Sequence, residues 1–139
     1  MTTSVFIFGT LLDTEVLELV CQQSIDKLQR KSASLLGFEP RYVIDQQFPV
    51  LVLAPKSTTY GEVVDFDDVL MERLNQYERD DFELCEVAVK LDSGADFTCL
   101  YFANVGFDKI SERRWTLEEF QRMHKETFLE GLKYLPTIH

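Results

Sequence analysis

Short apolar runs broken by turn residues fill most of this chain, and apolar residues fall at helical spacing in three places. Val5-Phe6-Ile7-Phe8 is a run of β-formers stopped by Gly9-Thr10, which predicts a buried strand and then a turn. Asp13 stands as an N-cap before Val16, Leu17 and Val20, which share one face of a short helix. Lys31 to Leu36 alternates weakly, Gly37 and Pro40 punctuate, and Arg41 to Asp45 is a strand centred on Tyr42-Val43-Ile44. Gln46 to Pro49 predicts a turn and Val50 to Leu53 a buried strand. Pro55 to Thr59 then predicts a polar loop, and Tyr60 to Phe66 a strand with Val63 and Val64 buried.

Asp67 or Asp68 caps a second helix, with Val69, Leu70, Leu74 and Tyr77 on its core face and its end at Glu78-Arg79-Asp80-Asp81. Phe82 to Leu91 alternates as a strand, Asp92 to Asp96 makes a hairpin turn, and Phe97 to Ala103 returns. Asn104 to Arg114 is irregular. Thr116 with Glu119 has the spacing of a capping box for a last helix. Leu117, Phe120, His124 and Phe128 lie on its inner face, and Gly131 and Pro136 end it. The pattern predicts six or seven strands and three helices with no repeating strand–helix order. That is an α+β class: helices flanking a mixed sheet able to close into a barrel. No internal repeat, low-complexity segment or linker divides residues 1–139, a length suited to a single domain with one sizeable core.

Composition narrows the function classes. With 14 basic against 24 acidic side chains the net charge is −10, a field that repels phosphate backbones and anionic lipid surfaces. Nucleic acid and membranes are therefore poor partners. No apolar run approaches the roughly 20 residues a spanning helix needs, and the N-terminal run is interrupted by Gly9 and Thr10 rather than built like a signal peptide. A cytoplasmic protein is the simplest expectation. Cys21, Cys85 and Cys99 are odd in number and far apart, and His124 and His139 are the only histidines. Neither a disulfide framework nor a zinc site is expected, and each thiol reads as a buried structural one.

Two stretches carry the candidate chemistry. Glu78 sits where a helix stops and a strand begins, a junction where a polar side chain can enter a cleft on a rigid support. Asp80, Asp81 and Glu83 follow; neighbouring carboxylates and partial burial would both raise its pKa toward that of a useful general base. A solvated acidic run at a helix end is the plainer reading. Phe8-Gly9-Thr10-Leu11 is either a simple turn or a set of backbone N–H donors facing a ligand oxygen. A base opposite such donors is a minimal acyl-transfer site. Tyr77 reads as core, Tyr101 as a buried ring with a bonded hydroxyl, and Trp115 with the Thr116 helix as a lid or brace. No Ser-His-Asp or Cys-His spacing, P-loop or dinucleotide fingerprint occurs.

Taken in order, these residues resemble the γ-glutamylcyclotransferase-like family. The family pattern of a strand ending in Tyr-Gly-Ser/Thr-Leu is matched by Phe8-Gly9-Thr10-Leu11. Its Phe-Pro-apolar segment is matched by Phe48-Pro49-Val50-Leu51, and its Gly-x-Val strand by Gly61-Glu62-Val63. Its helix ending in Leu-Asp-x-x-Glu is matched by Leu74-Asn75-Gln76-Tyr77-Glu78, and its later strand tyrosine by Tyr101. The resemblance covers about residues 5 to 101. It implies a compact mixed β-barrel with flanking helices and cyclisation of a γ-glutamyl amine or amino acid to 5-oxoproline, without metal or cofactor. It implies Glu78 as general acid/base and the backbone of Gly9, Thr10 and Leu11 as holder of substrate oxygens. Phe8, Phe48, Pro49 and Tyr101 complete the implied substrate site.

The chain departs from the pattern at Phe8 (for Tyr), at Asn75 (for Asp) and at Phe82-Glu83-Leu84, where a Tyr-x-Arg is frequent. Loss of that Arg makes the site more negative. The departures frame an alternative: a small-molecule-binding or accessory domain that keeps the pocket without the chemistry. A third reading is a hydrolase in which Glu78 activates water. Specificity is expected in Gln46 to Phe48, Lys56 to Thr59 and Asn104 to Trp115, and the assembly is expected to be a monomer or homodimer.

Overall fold

Strand β1 (Thr2–Ile7) lies between two partners, antiparallel to β3 (Pro49–Asp67) and parallel to β5 (Asp96–Asn104). β5 pairs antiparallel with β4 (Phe82–Leu91), β4 with β2 (Arg30–Val43), and β2 with β3. The last pairing closes a mixed barrel of five strands, as the sequence led us to expect. A sixth strand, β6 (Ile110–Arg114), attaches to β2 outside the ring. The structure is a computed structural model and describes residues 1–133.

Alternation along β1 divides the hydrophobic core in two. Phe6 turns inward with Ala33, Leu35, Val63, Val89 and Cys99, so that all five barrel strands feed this cluster. Val5 and Ile7 turn outward, with Val64 and Phe66, onto the helices. Val63 and Val64 are both buried, as expected, but on opposite faces of the sheet.

The outer face is covered by α1 (Thr14–Cys21), α2 (Asp68–Glu78) and a C-terminal helix. The last is made of α3 (Leu117–Glu119), a π-helical turn (Phe120–His124) and α4 (Lys125–Lys133). Asp13 caps α1 by accepting from the Val16 N–H at 3.1 Å, and Asp67, not Asp68, caps α2 from the Leu70 N–H at 2.9 Å. Among the described residues no helix is long and apolar enough to cross a membrane. The thiols of Cys21, Cys85 and Cys99 are free; Cys85 is half-buried, not buried.

Several local expectations are corrected. Pro55 to Thr59 is no loop; it belongs to β3, which continues through it. Its polar side chains are satisfied there: Ser57 donates to Glu39 at 2.7 Å and Thr59 to the Phe38 carbonyl at 2.8 Å. Lys31–Leu36 and Arg41–Val43 are two ends of the single strand β2, in which Gly37 (φ 86°) absorbs a register shift rather than ending the strand. Ile110 to Arg114, expected to be irregular, is β6. Val69 is 55 % exposed; the buried face of α2 is Leu70, Met71 and Leu74. Thr116 caps the last helix through its hydroxyl, but Glu119 does not return the bond and instead accepts from Tyr42 and Arg113. That helix passes Gly131 and continues to Lys133; Pro136 lies outside the described residues.

Candidate active site

A cavity of about 510 Å³ opens where the end of β1 meets the end of α2. This is a size suited to a small organic ligand. One wall is Phe8-Gly9-Thr10-Leu11 with Phe48 and Pro49, and the facing polar group is Glu78. The sequence-predicted residues thus converge, with one exception. Tyr101 does not line this cavity; it packs against the cluster inside the barrel. Strand alternation is the reason: its neighbour Phe102 takes the outward position and reaches the cavity.

The turn after β1 is a single 3-10 turn, Thr10–Leu12, whose hydrogen bonds run from Leu12 N–H to Gly9 O and from Asp13 N–H to Thr10 O, both 3.0 Å. The turn therefore uses none of the N–H groups of Gly9, Thr10 and Leu11 for itself. Close packing leaves little room for a side chain at Gly9: a Cβ there would stand 3.1 Å from Pro49 Cγ, which would have to give way by a few tenths of an ångström. Thr10 is buried, and its Oγ1 lies 2.7 Å from Tyr77 Oη. This bond ties the turn to the last residue before Glu78. Tyr77 is thus part of the site's frame as well as core, a role that its helical position alone could not signal.

Glu78 ends α2, and burial pushes its carboxyl up to about 8. Burial alone accounts for the shift; repulsion from Asp80, Asp81 and Glu83, anticipated from their spacing, does not contribute. The Tyr77 phenol is also held above its ordinary range, first by burial and then by the charge of Glu78, with the Thr10 bond acting in the opposite sense. A carboxyl in this state exchanges protons near neutral pH.

Three aromatic rings close another side. Phe48, Phe82 and Phe107 pack mutually with centroids 5.3 to 6.5 Å apart. Two of them are anchored separately. Trp115 Nε1 donates to the Gln47 carbonyl at 3.0 Å, which braces the Phe48 turn. Asn104 bonds both the N–H and the carbonyl of Phe107. Gly106 packs on Asp81, where a Cβ would lie only 2.8 Å from Asp81 Cα. Of the segments expected to set specificity, Gln46 to Phe48 and Phe107 reach the cavity and Lys56 to Thr59 does not.

The C-terminal helix supplies the remaining wall through Thr127, Phe128, Gly131 and Leu132. It is tied to the β1 turn by Asp13, which is 1 % exposed and accepts from Gln121 at 3.0 Å and Lys125 at 2.9 Å. Burial raises the Asp13 carboxyl, but these donors and the Val16 N–H outweigh it, so its pKa lies below the usual value. Neither Gln121 nor Lys125 stood out in the sequence, because their partner is more than a hundred residues away.

Comparison with known proteins agrees with this architecture. Residues 5–121 match the family model described as gamma-glutamyl cyclotransferase, AIG2-like. AIG2-like protein A of Arabidopsis thaliana is 25% identical over 137 residues, covering 94% of this chain and 79% of that protein. A solved structure titled gamma-glutamyl cyclotransferase superposes with a TM-score of 0.68 at 15% identity, covering 98% of this chain and 89% of the other. A solution structure of an Arabidopsis thaliana protein gives 0.68 at 20% identity over 96% and 81% of the two chains. At such identities the superpositions speak for the fold, and the sequence match speaks for descent. The chain belongs to the gamma-glutamyl cyclotransferase, AIG2-like family.

Proposed function

We propose that this protein is a cyclotransferase that converts a γ-glutamyl amine or γ-glutamyl amino acid to 5-oxoproline and a free amine. One observation carries the reading: a carboxyl raised to about 8 by burial shares a cavity with a turn whose first N–H groups are not used by the turn itself. In the proposed reaction Glu78 takes a proton from the substrate's α-ammonium. The freed nitrogen attacks the γ-carbonyl carbon, and a C–N bond of the five-membered ring forms. Negative charge gathers on the carbonyl oxygen, where the N–H groups of Gly9, Thr10 and Leu11 receive it. Glu78 returns that proton to the leaving nitrogen as the exocyclic C–N bond breaks, and the second proton lost by the ring nitrogen passes to the freed amine, giving a neutral lactam and an ammonium product.

Nucleophile and electrophile belong to one molecule, so orientation and proton transfer are the main demands on the protein. The acyl group lies toward Phe8 to Leu11 and Pro49, and the leaving amine toward Phe48, Phe82 and Phe107.

The test is 5-oxoproline release from a panel of γ-glutamyl amides by wild type and Glu78→Gln. Release by wild type alone supports the reading. Release of glutamate instead identifies a hydrolase. Absence of turnover with a ligand that still raises the melting temperature identifies a binding domain; Phe8, which brings a ring without a hydroxyl to the cavity, favours that second reading.

A further inference from the structure

Arg79, the residue after Glu78, has φ 61° and ψ −163°, a backbone conformation essentially restricted to glycine. Gln22 also has positive φ, but its ψ of 32° places it in the ordinary left-handed helical region. The conformation of Arg79 is held from both sides. Its N–H donates to the Asn75 carbonyl at the end of α2, and its carbonyl accepts from the Phe82 N–H. Two residues on, the Asp81 carbonyl accepts from Val105 and Gly106, both at 3.0 Å. Glycine would satisfy every one of these bonds without steric cost. What arginine adds at this position is its side chain.

A cation near a helix C-terminus gains from the helix dipole, but that gain is smaller than the strain. Arg79 lines the cavity, and it is the only cationic residue among the described residues that do so; Glu78 and Asp81 are acidic. Among the described residues no carboxylate forms an ion pair with it. Arg79 thus combines a strained backbone with a guanidinium that has no ion-pair partner among the described residues, beside a mainly apolar cavity whose other charged lining residues are Glu78 and Asp81.

We propose that Arg79 binds a carboxylate of the ligand: the α-carboxylate of the γ-glutamyl group. The inference rests on the proposed function and adds the residue that recognises the acyl half of the substrate. The α-amine and the α-carboxylate of a γ-glutamyl group are borne by one carbon atom. A base for the first and a cation for the second must therefore be neighbours, and Glu78 and Arg79 are consecutive residues lining one cavity. A guanidinium pairs with a carboxylate through two parallel hydrogen bonds, which would fix the orientation of the amine toward Glu78.

The test uses ligand pairs that differ only in that carboxylate. Turnover of γ-glutamyl benzylamide is compared with that of 4-aminobutyryl benzylamide, which would release 2-pyrrolidinone. Calorimetric binding of 5-oxoproline is compared with that of 2-pyrrolidinone. Wild type is expected to prefer the carboxylate-bearing member of each pair by about tenfold or more. In Arg79→Gly the preference collapses toward one, chiefly through KM, while the melting temperature rises because the strain is relieved. Arg79→Lys retains part of the preference and none of the added stability. Equal loss for both members of a pair, or no preference in wild type, overturns the proposal. If wild type turns over no γ-glutamyl amide, the cyclotransferase reading fails and the calorimetric pair decides alone: an Arg79-dependent preference for 5-oxoproline upholds the carboxylate site, and its absence overturns it.

Discussion

Replacing Glu78 by Gln is expected to make the protein more stable and less active, with the stability gain growing from about pH 4.3 to about pH 8. The sign follows from linkage. With a folded pKa of about 8 and an unfolded value of about 4.3, the native state keeps a proton that the unfolded state has lost. Wild-type stability therefore falls as pH rises from about 4.3 to about 8 and is level above that. The separation sets an upper limit of about 5 kcal/mol at about 1.4 kcal/mol per unit. Glu78 is only half-buried by surface area and faces a cavity open to water, so screening leaves a working figure of about 2 kcal/mol. In a chain of this length that corresponds to about 6 °C in melting temperature.

Urea or thermal unfolding of both proteins at pH 4 and pH 9 measures it. Gln cannot ionise, so the two curves should nearly coincide at pH 4 and separate at pH 9. In the proposed reaction the same group acts as the base: about one tenth of it is ionised at pH 7, so wild-type kcat/KM should climb about tenfold toward pH 9. Glu78→Gln should lose about 10²- to 10⁴-fold in kcat. An unchanged pH dependence of stability in Glu78→Gln would refute the claim that this carboxyl is the strained titrating group.

Three further outcomes follow from the frame of the site. Tyr77→Phe removes the 2.7 Å bond to the buried Thr10 hydroxyl and should cost about 1 kcal/mol by urea unfolding, with a larger relative loss in turnover because the β1 turn loses its tie to α2. Asp13→Ala removes a helix cap and a buried acceptor of Gln121 and Lys125, and about 3 kcal/mol should disappear in chemical denaturation. Because the Asp13 pKa is depressed, its stabilisation is full above about pH 3.9 and fades as pH falls through its lower folded value, so wild type and variant should converge in strong acid. Phe107→Ala should raise KM for γ-glutamyl benzylamide several-fold and leave the methylamide less affected; equal effects on both would separate the aromatic wall from the leaving group.

Much of this architecture was legible along the chain because its causes are local. The β1 run, the Asp13 and Asp67 caps, the Asp92 to Asp96 turn and the alternation of β4 and β5 depend on neighbours a few residues away. The placement of Glu78 at a helix end and of Gly9-Thr10 at a strand end is of the same kind. Closure of the barrel was not legible in detail. It depends on β2 pairing with β3 through a polar stretch, where Ser57 and Thr59 find partners that only the folded sheet brings near. The side chosen by Tyr101 and Phe102 was settled by register, which a shift of one residue would invert. The raised carboxyl of Glu78 is tertiary for the same reason: its spacing pointed to charge repulsion, whereas the cause is desolvation by groups assembled from β1, α2 and the far end of the chain. Sequence determined which residues stand at the ends of elements; only packing decided which of those ends meet and what the meeting does to a proton.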